Sequence, residues 1–145
     1  MKKLLFLVLF MVTAMLSQAQ VSKMLGQWYT IDDKTGEQRS CVKITEKNGN
    51  YQAVIVAIYD KDAKGNYREM KPPYPKEWEH VVGTQLFVDM KADGDHLKGK
   101  VYDPESQKTY HGKVTYKAKT DELVLRGSLD KAGLLGRSQT WKRKK

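Results

Sequence analysis

The residue types that most often carry catalysis or metal binding are sparse and scattered in this chain. His80, His96 and His111 are far apart, and no two share a helical or strand spacing that suits a pair of metal ligands. The single cysteine, Cys41, cannot form an internal disulfide. The sequence contains no Ser-His-Asp arrangement, zinc motif or glycine-rich phosphate loop. It therefore predicts a protein that is not an enzyme and has no catalytic residues, metal site or cofactor.

One acidic segment resembles the beginning of a calcium-binding loop. Asp60 and Asp62 have the spacing of the first two ligands of such a loop. However, Lys64 stands where a third oxygen ligand is needed, and Lys71 stands where the closing glutamate is needed. We therefore expect no calcium site here.

Aromatic and arginine side chains could instead bind a ligand or close a β-barrel. Trp28 lies on the first predicted strand and Trp141 on the last. If Trp141 faces inward, the alternation of side chains along a strand places Arg137 on the same inner face. A buried arginine needs a partner, and we expect Arg137 to stack on the indole of Trp28. The favoured interpretation is that these three residues close the barrel; the alternative is that Arg137 binds an anionic ligand head.

Further candidate side chains lie on the inner strands. Tyr110 and Tyr116 share an apolar strand face, and they either line a cavity or fill it. Tyr102 begins a strand end and turn, residues 102–105, for which a role at a barrel mouth is the alternative. Arg126 opposes the apolar face and is expected outside, but it becomes an interior anion ligand if the strand is flipped. The predicted ligand-binding set is Trp28, Tyr102, Tyr110, Tyr116, Arg126, Arg137 and Trp141.

Eight short strands must position these side chains. Three cover about residues 26–31, 38–45 and 51–59, and the last covers about residues 137–143. The other four strands present the inward-facing sets Leu86, Val88 and Met90; Leu97, Gly99 and Val101; Tyr110, Gly112, Val114 and Tyr116; and Leu123, Leu125 and Gly127. Tight turns such as Asn48-Gly49 join the strands. An open meander would leave two bare edges, so we predict an all-β fold, a single antiparallel eight-stranded up-and-down barrel.

A long irregular stretch, residues 60–82, interrupts the strands. Pro72, Pro73 and Pro75 exclude a central strand and a regular helix there. A loop of this length in a small domain is a lid, a binding loop or a disordered segment.

The first nineteen residues have the pattern of a secretory signal peptide. Lys2 and Lys3 precede an uncharged apolar run, and small residues stand at Ser17 and Ala19. We predict a signal peptide at residues 1–19 and one barrel domain at residues 20–145. Removal of the leader takes away two lysines and no acidic residue, which lowers the formal net charge from +9 to about +7.

The chain resembles DUF2147, a family of small exported bacterial proteins with a barrel like that of lipocalins and fatty-acid-binding proteins. The motifs that carry the resemblance are Gly26-x-Trp28, Tyr102-Asp103-Pro104-Glu105 and Gly136-Arg137-x-Gln139-x-Trp141. The resemblance implies a lipocalin-like barrel in the envelope of a Gram-negative bacterium, and it implies no particular ligand. The proline cluster at residues 72–75 departs from the family pattern.

These observations predict an exported protein of the periplasm, with secretion as the alternative, that binds a small apolar or amphipathic ligand and is not an enzyme. A filled barrel that contacts an envelope protein or the cell wall is the alternative function. An enzyme built from Tyr102, Asp103 and Arg126 is the least favoured. Export disfavours nucleic acid as a partner, and the basic tail at residues 142–145 suits peripheral contact with anionic envelope lipid. The sequence predicts no oligomeric state.

Overall fold

The computed structural model describes residue 15 and residues 18–145. Most of the predicted signal peptide therefore lies outside the described residues. A short helix at residues 18–22 precedes the first strand. The strands are β1 (Gly26–Ile31), β2 (Gln38–Lys47), β3 (Asn50–Lys61), β4 (Tyr67–Glu69), β5 (Phe87–Asp93), β6 (His96–Asp103), β7 (Lys108–Lys117), β8 (Glu122–Ser128) and β9 (Gly136–Arg143). No helix among these residues is long and apolar enough to cross a membrane.

Eight of these strands form a closed antiparallel barrel. Their order around the ring is β2-β1-β9-β8-β7-β6-β5-β3, and a further pairing of β2 with β3 completes it. The first strand pairs with the last, so that Trp28 lies opposite Arg143 and Thr30 opposite Trp141. This arrangement confirms the predicted all-β eight-stranded barrel and the predicted contact between its first and last strands.

A ninth strand, β4, lies within the stretch that the sequence predicts to be irregular. It pairs with the extended end of β3, with Asp60 opposite Arg68. The Asp62 carboxylate accepts hydrogen bonds from the backbone N–H groups of Lys64 and Asn66, which fixes the turn between the two strands. The Arg68 guanidinium donates two hydrogen bonds to Asp60, at 3.0 and 2.8 Å. The acidic segment therefore organises a hairpin.

An irregularity in β5 changes which of its side chains face inward. Asp89 has a φ of 50°, and the pairing with β6 shifts between Val88 and Lys91. Such a bulge breaks the alternation of faces, so Phe87 and Met90 are both buried. The expectation that Val88 faces inward is wrong, because Val88 is exposed on the barrel wall.

The inner faces of the other strands follow the predicted alternation. Leu97, Val101, Val114, Leu123 and Leu125 are all buried. Together with the two tryptophans, Phe87 and Met90 they form one hydrophobic core inside the barrel. Burial of this apolar surface stabilises the fold, since a fully buried large apolar side chain contributes about 1.5–3 kcal/mol.

The two ends of the barrel differ. One end carries the short helix and the turns at residues 48–49, 94–95 and 118–121; we call it the closed end. The other carries the connections at residues 32–37, 62–66, 104–107 and 129–135; we call it the mouth. The strand directions place β1, β6 and β8 running from the closed end to the mouth.

Candidate functional site

The closed end is sealed by Trp28 beneath an arginine. Trp28 is fully buried, and its indole N–H donates a hydrogen bond to the carbonyl oxygen of Met24 at 2.9 Å. The guanidinium carbon of Arg143 lies 4.2 Å from the centre of the indole ring. A cation held over an indole face is attracted by the ring quadrupole.

Arg143 also ties the first segment of the domain to the last strand. It donates hydrogen bonds to the backbone carbonyl oxygens of Lys23 and Leu25. Its Nε atom lies 2.9 Å from both carboxylate oxygens of Asp121. Burial raises the pKa of Asp121, but the hydrogen bonds from Arg143 and Tyr116 outweigh that effect and lower the pKa overall.

The arginine over Trp28 is therefore Arg143, and the expectation that Arg137 stacks there is wrong. Both arginines share the inward parity of Trp141, but Arg143 lies directly opposite Trp28 in the β1–β9 pairing. Arg137 lies at the mouth end of β9, where its exposed guanidinium donates to Asp33, with Nε 3.0 Å from the carboxylate. This ion pair lowers the pKa of Asp33.

Tyr116 belongs to the same closed-end cluster. Its ring packs edge-on against Trp28, with centroids 6.5 Å apart. Its hydroxyl donates to the Asp121 carboxylate at 2.9 Å, and this bond raises the pKa of Tyr116. Trp28 and Tyr116 are thus held in structural contacts at the closed end of the barrel.

Trp141 separates the two halves of the interior. Its ring stacks on Phe87 with centroids 6.3 Å apart and an angle of 7° between the planes. Its indole N–H donates to the side-chain oxygen of Gln139 at 2.6 Å. The stacked pair forms a flat apolar floor, and Gln139 lies one inward position closer to the mouth.

The interior is packed most densely below this floor. Trp28, Val42, Met90, Leu97 and Leu123 have no exposed surface. Toward the mouth, Ile58 and Phe87 are also almost fully buried, at 2% and 1% exposed. Five other inward-facing residues there keep 6–8% of their surface exposed; they are Thr30, Ser40, Leu86, Val101 and Leu125. We call this slightly less buried mouth half of the interior the mouth pocket.

Three glycines form a row across the wall of the barrel toward the mouth pocket. Gly99 pairs with Gly112, Gly112 with Gly127, and Gly127 with Arg137. A Cβ atom on Gly112 would lie 2.5 Å from a methyl group of Val101, so no room remains for a side chain at this position. A Cβ atom on Gly127 would meet only Tyr110, at 3.8 Å. The row thus ends in free space beside Tyr110 and Arg137.

Polar groups surround the entrance to this pocket. The hydroxyls of Thr30 and Ser40 hydrogen-bond each other at 2.7 Å. The hydroxyl of Tyr110 lies 3.3 Å from that of Ser106. Asp103 accepts hydrogen bonds from the backbone of Glu105 and from Ser106, so residues 102–105 form the predicted strand end and turn.

Arg126 and Tyr102 lie outside the pocket. Arg126 donates to the carbonyl oxygens of Gly133 and Leu134 and to the hydroxyl of Ser138, which clamps the loop between β8 and β9. It therefore faces outward, as favoured from the strand pattern. Tyr102 follows inward-facing Val101 on β6 and is half-buried on the opposite face.

The proline-rich stretch is an ordered cover on the mouth side, and we call residues 70–84 the lid segment. Its ends are fixed to β3, because Met70 donates to the Ile58 carbonyl oxygen at 2.9 Å and Gly83 to that of Ile55 at 2.7 Å. The Arg39 guanidinium lies 5.3 Å from the ring centre of Trp78. The segment fills the gap where β3 and β5 separate, and five of its side chains pack on the core: Met70, Tyr74, Trp78, Val81 and Val82.

The structure thus divides the predicted site residues into four groups. Trp28 and Tyr116 seal the closed end, Trp141 is the floor, and Tyr110 and Arg137 stand at the mouth. Tyr102 and Arg126 lie on the outer face. Sequence reasoning missed Arg143, Phe87 and the aromatic residues of the lid segment. Arg143 could have been identified from the sequence, because it lies two residues beyond Trp141 and therefore on the same face of the strand.

Two surface depressions lie at the closed end of the barrel. The smaller, about 330 Å³, is lined by Tyr116, Asp121 and Arg143, and the larger, about 630 Å³, extends from Val21 to Tyr51. Among residue 15 and residues 18–145, no group of three or more histidine, cysteine, aspartate or glutamate side chains is placed to hold a metal ion.

The closed eight-stranded barrel and its sealed end define a lipocalin-like fold. A solved structure described as "Protein HP1028 from the human pathogen Helicobacter pylori belongs to the lipocalin family" is similar to this chain, with a TM-score of 0.62. The two are 24% identical, and the match covers 84% of this chain and 83% of the other. At this identity the likeness concerns the fold alone.

The sequence identifies the protein family of the chain. Residues 26–143 match the family described as "Uncharacterized protein conserved in bacteria (DUF2147)". The chain belongs to this family. No curated protein matches it.

Proposed function

We propose that this protein is an exported, non-enzymatic binding protein of the periplasm that holds one small amphipathic molecule in the mouth pocket. The observation that carries the proposal is the contrast between the two halves of the interior. Below Trp141 the barrel is filled and sealed, whereas from the level of Trp141 toward the mouth five inward-facing residues keep 6–8% of their surface exposed, and a side chain at Gly127 would meet only Tyr110. Apolar pockets with a few polar groups at the entrance are typical of small-molecule sites.

The residues of the pocket suit a ligand with an apolar body and a polar head. Val101, Leu125 and Leu86 offer apolar walls, and the flat face of Trp141 offers a floor for the apolar part. The bond from Trp141 occupies the amide oxygen of Gln139, so the amide N–H groups of Gln139 remain as donors for a polar head. Tyr110 adds a hydroxyl at the rim, beside Arg137 in its ion pair with Asp33.

The pocket limits the size of this ligand. Because the closed half is filled by side chains, only the mouth half is available to a guest. The ligand is therefore shorter than the full depth of the barrel. The lid segment must also move or adapt when a ligand enters, since its aromatic side chains pack on the same core.

Filling the end of the glycine row tests the proposal. We expect purified residues 20–145 to bind an environment-sensitive fluorescent fatty acid at a ratio of one to one. Gly127→Phe should weaken that binding at least about tenfold, because its ring enters the pocket, and a loss of this size corresponds to about 1.4 kcal/mol. Gly127→Ala is the matched control and should bind like the wild type, since its methyl group has room.

Native mass spectrometry of protein purified from the bacterial envelope gives a second readout with natural ligands. A bound small molecule in the wild type that is missing from Gly127→Phe is the expected result. Equal probe binding by Gly127→Phe and the wild type, with both folded by circular dichroism, would show that the mouth pocket is not the site.

A further inference from the structure

A row of basic side chains crosses the outer wall of the barrel from β5 to β8. Lys91 pairs with Lys98, Lys98 with Lys113, and Lys113 with Arg126. Each of these residues is adjacent in sequence to a buried residue of the core, so the row faces outward. Lys100 lies two residues beyond Lys98, on the same face of β6. We call these five residues the basic patch.

The basic patch opposes the stability of the sheet. Directly opposite residues of an antiparallel pair have Cβ atoms about 4.5–5.5 Å apart, and like charges at that separation are destabilising. In the described part of the chain, no residue of the patch forms an ion pair with a carboxylate. The row does not protect a sheet edge either, because its end residues Lys91 and Arg126 lie opposite Asn50 and Ser138 on the next strands. The charges therefore point to a partner outside the domain.

Nearby carboxylates do not cancel this positive charge. The outward-facing positions of β5 to β8 carry six cations, the patch and Lys117, against the three carboxylates of Asp89, Asp93 and Glu122. Two of these carboxylates lie beyond the patch, because Asp93 contacts His96 at 3.5 Å and Glu122 lies opposite Lys117. Asp95 follows in the turn after β5, 3.1 Å from His96. Asp89 alone lies beside the patch, so a negatively charged partner is complementary to it.

The curvature of the wall requires a flexible partner. Eight strands close the ring, so the outward direction turns by about 45° from one strand to the next. The row therefore bends through about 135° between Lys91 and Arg126. A flat bilayer meets only part of such a surface, and Val88 is the one large apolar side chain exposed on these four strands. Duplex DNA is too stiff to follow the bend, since its persistence length is about 150 base pairs.

The side chains of the patch also disfavour single-stranded nucleic acid and protein. Proteins that bind single strands stack the bases on aromatic side chains, but on β5 to β8 Phe87 is buried and Tyr102, Tyr110 and Tyr116 are half-buried. Hot spots between proteins are enriched in tryptophan, tyrosine and arginine, and the only arginine here, Arg126, already binds backbone carbonyl oxygens. Clusters dominated by lysine are typical of sites for heparin-like polysaccharides.

We propose that the basic patch binds a flexible acidic polysaccharide, whose repeated negative groups follow the lysines around the barrel wall. The bound polymer separates the opposed lysines with negative charge and so relieves their repulsion. The patch lies outside the barrel and acts independently of the mouth pocket. Only the choice of an envelope polysaccharide as the natural partner rests on the export proposed above.

Calorimetric titration of residues 20–145 with a short heparin oligosaccharide tests this proposal. We expect the wild type to bind, with an affinity that falls as sodium chloride is raised, because salt screens exposed charges. Lys98→Gln/Lys113→Gln should weaken binding at least about tenfold, since each lysine near an anionic partner contributes about 1 kcal/mol. Lys34→Gln/Lys131→Gln removes the same charge from two exposed mouth positions and is the matched control, which should bind like the wild type.

Thermal unfolding distinguishes lost binding from a damaged fold. Because Lys98→Gln/Lys113→Gln removes opposed like charges, its melting temperature should equal or exceed that of the wild type. It should also bind the fluorescent fatty acid like the wild type, so failure of the patch and failure of the mouth pocket give different results. Lys91→Gln/Lys100→Gln, which changes the other members of the patch, should show the same loss of heparin binding. Neutral dextran should bind none of these proteins.

Unchanged heparin affinity in both patch variants would overturn the proposal. An equal loss in Lys34→Gln/Lys131→Gln would also overturn it, because net charge and not the patch would then hold the polymer. Tighter binding of a DNA oligonucleotide than of heparin, or flotation with phosphatidylglycerol vesicles that depends on Lys98 and Lys113, would assign the patch to nucleic acid or to lipid instead.

Discussion

Arg143 is the single side chain that joins most parts of the closed end. It covers the Trp28 ring, binds two backbone carbonyl oxygens before β1, and pairs with Asp121. Its partners come from three separate segments of the chain. Loss of this guanidinium therefore affects the seam between β1 and β9 and the attachment of the preceding helix together.

Arg143→Ala should destabilise the barrel by about 2–4 kcal/mol, the sum expected for a partly buried cation–π contact and hydrogen bonds from a charged group. Urea unfolding followed by tryptophan fluorescence measures the change. Arg137→Ala is the matched control, because its ion pair is exposed, and it should leave the free energy of unfolding nearly unchanged. A larger effect from Arg137 than from Arg143 would contradict the assignment of the sealing arginine.

Arg143, and not Arg137, covers Trp28. This difference shows what the alternation of side chains along a strand can and cannot predict. Residues 137, 139, 141 and 143 all share one face of β9, but Arg137 is exposed at the rim and not buried beside Trp141 as that alternation predicts. Parity does not give depth along the barrel. Depth follows from the register of β9 against β1, which sets Arg143 opposite Trp28 and leaves Arg137 at the rim. That register depends on pairing between distant parts of the chain.

At the level of strands, the glycine row fixes how closely the wall approaches the core. Gly99 lies against the backbone of β5 at Asp89 and Met90, the site of the bulge. Gly112 lies against Val101, while Gly127 faces open space. Glycine therefore allows close packing at Gly99 and Gly112, whereas at Gly127 it leaves space unoccupied.

Gly112→Ala should cost about 1–3 kcal/mol of stability, as is usual when an extra methyl group overfills a packed core. Gly127→Ala, on the neighbouring strand at the same height, should be tolerated because its methyl group makes only an ordinary contact with Tyr110. Thermal unfolding of the pair measures the difference. Equal melting temperatures for the two variants would contradict the assigned filling of the row.

The strands that the sequence predicts best are those with an uninterrupted alternation. The inward faces of β6, β7 and β8 follow from their period of two alone. The prediction failed at β5, where the positive φ of Asp89 adds a residue to one side of the ladder and turns Val88 outward. It also missed β4, a three-residue strand whose turn is fixed by hydrogen bonds that the Asp62 carboxylate accepts from backbone N–H groups. The spacing of apolar residues in the sequence does not predict such local irregularities.

On the scale of the whole molecule, acidic side chains fix both ends of the barrel. At the mouth, the hydrogen bonds from Arg137 lower the pKa of Asp33, and the backbone N–H groups of Leu135 and Leu134 lower the pKa of Asp130. At the closed end, the pKa of Asp121 is also lowered, despite its burial, by Arg143 and Tyr116. Each carboxylate is more acidic in the folded protein than in the unfolded chain.

Groups of this kind contribute stability above their ordinary pKa of 3.8, and that contribution is lost as the pH falls through the lowered values. We therefore expect the free energy of unfolding to decrease from about pH 4 downward. Urea unfolding at a series of pH values measures it. Asp33→Asn/Asp130→Asn should make the free energy of unfolding less dependent on pH while leaving the fold intact. An unchanged pH dependence in the double variant would show that other groups cause the loss of stability in acid.

The overall architecture followed from the sequence because closure of a meander is a global requirement that no single residue decides. The candidate site followed less well. Tyr110, Arg137 and Trp141 do lie near the mouth pocket, but Trp28 and Tyr116 are held at the other end and Arg126 clamps a loop. Whether an inward-facing aromatic residue fills or lines a barrel depends on three-dimensional packing against residues far away in the chain.

The seam between β1 and β9 also sets an order of events in biosynthesis. The hairpins from β5 to β9 can form from neighbouring segments, but Trp28 stays uncovered until Arg143 has emerged at the far end of the chain. No N-terminal fragment contains a finished barrel. Completion of the barrel therefore waits for the last residues of β9, and a ribosome that still holds them keeps the domain unfinished.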